Sequence, residues 1–143
     1  MKVIAFLNNK GGVGKTASVT TVAHIAATYF KKRVLIIDLD PQGNSTALYN
    51  DANIEEILAG LLQGKPTNTI APSVENLLID KTFDIHKSIK KTPYENLDII
   101  PSYLTLAEVE ERLKADILSP QQFRLANHLD KIQDEYDYCF LDC

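Results

Sequence analysis

The 143-residue sequence contains no apolar run approaching the roughly 20 residues that a membrane-spanning helix needs. Its first 15 residues lack an apolar signal core followed by a small-residue cleavage site, so the expectation is a protein that is not exported. Low-complexity tracts, internal repeats and a linker dividing the chain are also missing, which leaves a single globular domain. Cysteine is scarce: Cys139 and Cys143 are the only two, a usage that fits a reducing compartment. They stand four apart around an apolar strand, on one face, and are too few to close a metal site, so both read as buried or half-buried thiols. His24, His86 and His128 have no spacing that suggests metal ligation. An excess of positive charge is lacking too, with 15 basic against 19 acidic residues and a net charge of −4. That removes any global nucleic-acid footprint. The local clusters Lys31, Lys32, Arg33 and Lys81, Lys87, Lys90, Lys91 read as solvated faces. What remains is 45% hydrophobic and 24% charged, enough to build a sizeable core.

One further absence is local. The ordinary phosphate loop, G-x-x-x-x-G-K-[ST], asks for glycine where this chain has Asn9, so the strict pattern fails. The variant present is K-G-G-V-G-K-T at 10–16, directly after the apolar run Val3–Leu7 and directly before a helix-period segment. Chance supplies seven such specified positions with a probability of very roughly 10⁻⁸ per start site. A triphosphate needs convergent donors with no side chains in the way, and Gly11, Gly12 and Gly14 allow that around Val13. The helix beginning near Thr16 adds its dipole, Lys15 a point charge for the β/γ-phosphates, and the Thr16 hydroxyl a ligand for Mg²⁺. Lys10 has two readings from spacing alone: a solvated lysine, or one that crosses a dimer interface to the partner's nucleotide.

Strands are expected at Lys2–Leu7, read as fully buried, and at Val34–Ile37, Leu97–Ile100 and Tyr138–Leu141, all short, apolar runs. Helices are expected over Thr16–Phe30, with Val19, Val22, Ala23, Ala26 and Phe30 on one stripe, and over Ile54–Gln63, Leu104–Ala115 and Gln121–Gln133. Asn53 would cap the second of these, with Gly64 past its end. Pro41, Gly43 and Asn44 mark a loop, and residues 65–96, punctuated by Pro66, Pro72 and Pro93, show no clear element. Strands alternating with helices predict an α/β fold with a mostly parallel sheet and flanking helices, of P-loop NTPase type. Function then belongs at the carboxyl ends of the strands, where Asp38 and Asp142 stand. Asp142 suits a metal's water shell, and Asp40 can orient or deprotonate an attacking water. Taken alone, Asp38-Leu39-Asp40-Pro41 would pass for an acidic turn; the loop upstream argues for function.

Three blocks together resemble the deviant-Walker ATPases of the ParA/MinD family: K-G-G-V-G-K-T at 10–16, V-L-I-I-D-L-D-P-Q-G-N-S-T at 34–46 and Y-D-Y-C-F-L-D-C at 136–143. The segment N-L-D-I-I-P-S at 96–102 is similar to the family's third-strand region, and D-P-Q-G-N resembles the chromosome- and plasmid-partition (ParA/Soj-like) branch. The resemblance implies that Lys15 and Thr16 meet phosphate and Mg²⁺, and that Asp38 and Asp142 lie near the metal. It implies that Asp40 positions the hydrolytic water and that Lys10 reaches the partner's nucleotide in an ATP sandwich dimer. It further implies Mg-ATP hydrolysis, non-specific DNA and a ParB-like centromere-binding protein as partners, no membrane, and a cytoplasmic, nucleoid-associated location in bacteria. The alternatives are a non-catalytic nucleotide-binding, dimerising fragment and a MinD-like division-positioning ATPase.

Two departures stand out. The family usually carries Thr or Ser after the Mg²⁺ ligand to meet the α-phosphate; Ala17 keeps only the backbone N–H, so weaker nucleotide affinity is expected. Family members also continue a hundred or more residues past the third block, so residues 1–143 are expected to be the N-terminal part of a longer ATPase domain, stopping after the Walker B strand.

Overall fold

A computed structural model of the chain describes residues 1–7, 14–49, 62–64, 72–103, 106–114 and 121–143. Five strands form one sheet: β1 (Lys2–Phe6), β2 (Val34–Asp38), β3 (Lys90–Lys91), β4 (Leu97–Ile100) and β5 (Tyr138–Asp142). Their order is β1-β5-β2-β4-β3. The four longer strands run parallel, and the two-residue β3 pairs antiparallel to β4. This is the mostly parallel α/β sheet expected. The helices are α1 (Lys15–Thr28), α2 (Asn44–Tyr49), α3 (Val74–Ile79), α4 (Leu106–Lys114) and α5 (Gln121–Asp130), with a 3₁₀ turn at Ile85–Lys87.

Side chains of β2 alternate between the two faces, which is why an all-apolar strand is required here. Val34 and Ile36 join Leu97, Ile99 and Phe140 against Val19, Ala23 and Ala27 of α1. Leu35 and Ile37 face the opposite core, built with Val74, Leu77, Leu106, Val109, Leu113 and Ile132. The buried edge of α1 is thus Val19-Ala23-Ala27, an i, i+4, i+8 row of small residues. Val22 of the expected stripe is 42% exposed, and Phe30, 68% exposed, lies beyond the helix end.

Other expectations shift as well: β1, expected to be fully buried, lies at one end of the strand order and leaves Val3 and Ile4 exposed. The segment after β2 is not wholly loop, because α2 begins at Asn44. Residues 72–96, left without an element by their prolines, hold α3, the 3₁₀ turn and β3. α3 is short, and its capping pair is Ser73 with Asn76 rather than the usual Glu or Gln. It is held by the buried α5 side chains Arg124, which donates to the Leu78 carbonyl at 2.7 Å, and His128, whose Nε2 lies 3.0 Å from the Leu77 carbonyl. The helix expected over 54–63 lies almost entirely outside the described residues. Cys139 is buried and its thiol is pushed up to about 12 by desolvation, while Cys143 is half-buried; both are free.

Candidate nucleotide and metal site

The carboxyl ends of β1, β2 and β5 meet at one edge of the sheet. α1 starts there from Gly14, whose φ of +78° places it in the left-handed region that glycine tolerates. Lys15 and Thr16 form the first turn of α1 and are half-buried, and Ala17 beside them is exposed. Lys10, Gly11, Gly12 and Val13 lie outside the described residues.

Asp38 and Asp142 close β2 and β5 in direct register, and both are fully buried. Burial pushes the Asp38 carboxyl above the usual carboxylate range; the Thr46 hydroxyl, the Thr46 and Asp40 backbone N–H groups oppose this, and Asp142 adds to the rise. Asp38 Oδ2 accepts from the Thr46 hydroxyl at 2.7 Å and the Thr46 N–H at 2.8 Å, and Oδ1 accepts from the Asp40 N–H at 3.0 Å. Asp142 Oδ2 accepts from the Ser45 hydroxyl at 2.6 Å and the Thr16 hydroxyl at 2.9 Å. The contact from Thr16 joins the start of α1 to the end of β5. Asp142 Oδ1 is buried and has no hydrogen-bond partner among the described residues.

An orphaned carboxylate oxygen beside a second buried carboxylate and a hydroxyl fits a hard divalent cation. Among the described residues no group of three His, Cys, Asp or Glu side chains could hold a metal ion by itself. A Mg²⁺ held by one or two protein oxygens, with water and substrate phosphates completing the shell, matches that donor set.

Asp40 is half-buried on the turn that follows β2. Its carboxylate accepts from the Gln42 N–H at 2.9 Å and the Asn44 side-chain amide at 3.3 Å. Its carbonyl accepts from the Gly43 N–H at 2.8 Å and from the Ser102 hydroxyl at 2.9 Å. Gly43, at φ +63°, supplies the left-handed residue that ends this turn.

The structure therefore gathers Thr16, Asp38 and Asp142 through hydrogen bonds and strand register, and sets Asp40 two residues beyond Asp38. Sequence reasoning did not single out Ser45, Thr46 or Ser102. The signal was there: S-T follows D-P-Q-G-N directly, and Ser102 follows a buried strand and Pro101. Hydroxyls at strand ends next to carboxylates are natural donors to them.

A parallel sheet with a Gly-Lys-Thr helix start against two buried strand-end carboxylates defines an α/β protein of P-loop NTPase type. A family model described as an AAA domain matches residues 1–143. The chain is 38% identical over 144 residues to the sporulation initiation inhibitor protein Soj of Bacillus subtilis, covering 99% of this chain and 49% of that one. It is similar to a plasmid partition protein from Borrelia burgdorferi, with TM-score 0.75, 30% identity and coverage of 99% of this chain and 55% of that one. It is also similar to cobyrinic acid a,c-diamide synthase from Mycobacterium smegmatis with bound ATP analog and magnesium, with TM-score 0.75, 27% identity and coverage of 100% and 51%. The chain belongs to the AAA domain family, among its ParA/Soj-like members. It spans about half the length of the curated relatives it matches.

Proposed function

We propose that residues 1–143 form one P-loop unit of a Mg²⁺-dependent ATPase of the partition type, working as a nucleotide-gated dimer on DNA. The observation that carries this reading is the buried Asp142 Oδ1, without a hydrogen-bond partner among the described residues, on a carboxylate set against Asp38 and joined through Oδ2 to the Thr16 hydroxyl. Thr16 and Asp142 would hold Mg²⁺, directly or through its water shell, with Asp38 supporting the site. The cation supplies charge neutralisation on the β- and γ-phosphates. Gly11, Gly12, Val13, Gly14 and the start of α1 through Ala17 would line the phosphates with backbone N–H groups, and Lys15 would bring its ammonium to them. Asp40 accepts hydrogen bonds on both carboxylate oxygens and has the chemistry to orient a water. Lys10, the loop's second lysine, would reach the nucleotide of a partner copy.

ATP and Mg²⁺ as cofactors are supported by the solved relative that carries an ATP analog and magnesium. The partition role, with non-specific DNA and a ParB-like centromere-binding protein as partners in the bacterial cytoplasm, is supported by the names of the matched relatives and the D-P-Q-G-N block. Among the described residues no helix is long and apolar enough to cross a membrane. ATP turnover of wild type against Asp40→Ala tests the reading. Turnover should fall by about 10²–10⁴-fold with ATP binding retained. Normal turnover in Asp40→Ala would remove the water-positioning role, and ATP binding without turnover in the wild type would make the chain a non-catalytic nucleotide-binding module.

A further inference from the structure

The turn that carries Asp40 is fastened from a different part of the sheet. Ser102, 1% exposed, follows β4, and its hydroxyl donates to the Asp40 carbonyl at 2.9 Å. Its backbone N–H donates to the Thr46 hydroxyl oxygen at 2.9 Å, while that hydroxyl's own proton goes to Asp38 Oδ2 at 2.7 Å. One residue thus bonds the Asp40 turn directly and reaches Asp38 through Thr46. Ser102 is itself fixed from both sides by the start of α3. The Val74 N–H donates to the Pro101 carbonyl at 2.9 Å, and Glu75 Oε1 accepts from the Tyr103 N–H at 2.7 Å.

We propose that Ser102 is a positioning residue, which sets the Asp40 turn relative to Asp38 and ties it to α3; as a statement about turnover this rests on the ATPase reading above. The physical reason is bond direction. The Asp40 carbonyl is held by the Gly43 N–H from within the turn and by Ser102 from outside it. Without the outside donor the Gly43 N–H holds that carbonyl alone, so the turn opens more often and can shift away from the end of β4. A displacement of the order of 1 Å suffices to slow a reaction that depends on an oriented water.

Ser102→Ala in the full 143-residue chain provides the test. Its kcat for ATP should fall about tenfold, with KM within about twofold of wild type. In the nucleotide-free protein, the Gln42 and Gly43 amides should exchange with solvent about tenfold faster. Ser102→Thr, which restores a hydroxyl, should recover both readouts. Ser102→Cys, a weaker donor, should fall between them and serves as the variant if Ser102→Ala does not fold. Thr92→Ala is the control, since it deletes a part-buried hydroxyl at the opposite end of the sheet, one that donates to the Leu97 carbonyl at 2.7 Å, and should move neither readout. Wild-type kcat and unchanged exchange in Ser102→Ala would overturn the proposal. Normal turnover in Asp40→Ala would remove the water-positioning reading, and exchange at Gln42 and Gly43 would then decide the structural claim alone: acceleration in Ser102→Ala upholds it and no change overturns it.

Discussion

Both ends of the sheet bury carboxylates, and they treat them in opposite ways. At the amino-terminal end, Asp98 is the second residue of β4 and is 5% exposed. Its Oδ2 accepts from the Lys91 ammonium at 2.9 Å and the Tyr136 hydroxyl at 2.7 Å, so the anion is balanced by the chain's own donors. Desolvation first, and Asp98 second, push the Tyr136 hydroxyl well above its ordinary value, which keeps it a donor at any working pH. At the carboxyl-terminal end, two carboxylates face one another in register with hydroxyls and backbone N–H groups as their donors, and one oxygen has no partner among the described residues. Asp142 needed only for stability would be expected to have both buried oxygens satisfied there. The lesson is that burial alone does not mark a site; the unbalanced donor–acceptor count does.

Substitutions can break this contrast. The largest expected effect is at Asp142. Asp142→Asn should abolish the stabilisation that Mg²⁺ adds in the presence of ATP. Without ligands it should leave stability within about 1 kcal/mol of wild type, because an amide oxygen still accepts from Ser45 and Thr16 and the repulsion with Asp38 is relieved. Asp98→Ala should do the reverse, costing about 1–3 kcal/mol in chemical denaturation by stranding the buried Tyr136 hydroxyl, while leaving Mg²⁺ linkage intact.

Protonation gives a finer view. Asp38 has a folded-state pKa above its ordinary 3.8, so the folded state binds more protons in the window between the two values. Stability should therefore fall as pH rises from about 3.8 through the raised value, and Asp38→Asn should flatten that fall in metal-free urea melts at stepped pH.

The smallest effect is at exposed His86, whose ring lies 2.8 Å from both Asp84 and Glu135. Hydrogen bonding to Glu135, and to a smaller degree to Asp84, raises its pKa above 6.5. That contribution is fully present below 6.5 and is lost as pH rises through the raised value. His86→Gln should remove a pH-dependent increment of under about 1 kcal/mol.

The strands were legible because fully buried parallel strands are apolar throughout, and Val34–Ile37, Leu97–Ile100 and Tyr138–Leu141 match the observed β2, β4 and β5 to within one residue. α2 was not, because Gly43-Asn44-Ser45-Thr46 has turn composition and becomes helical through tertiary bonds from Thr46 to Asp38 and Ser45 to Asp142. α3 was hidden for a similar reason: this short helix owes its place to Arg124 and His128, which lie 46 and 51 residues from their partners in sequence. In the site, Thr16, Asp38 and Asp142 could be named from residue type and strand ends. The hydroxyls that orient them were missed: serine and threonine have no periodic signature, and their place after D-P-Q-G-N and Pro101 gains meaning once topology brings the ends of β2, β4 and β5 together.

We propose that the Asp142 oxygen without a partner among the described residues faces a nucleotide-bound cation. The most direct measurement is the thermal unfolding of wild type and Asp142→Asn with ATP, with and without Mg²⁺. The account predicts that ATP near 100 times its dissociation constant stabilises the wild type by about 2.7 kcal/mol in a Mg²⁺-dependent way, and that Asp142→Asn loses the Mg²⁺-dependent part. An equal Mg²⁺-dependent rise in both proteins would contradict it.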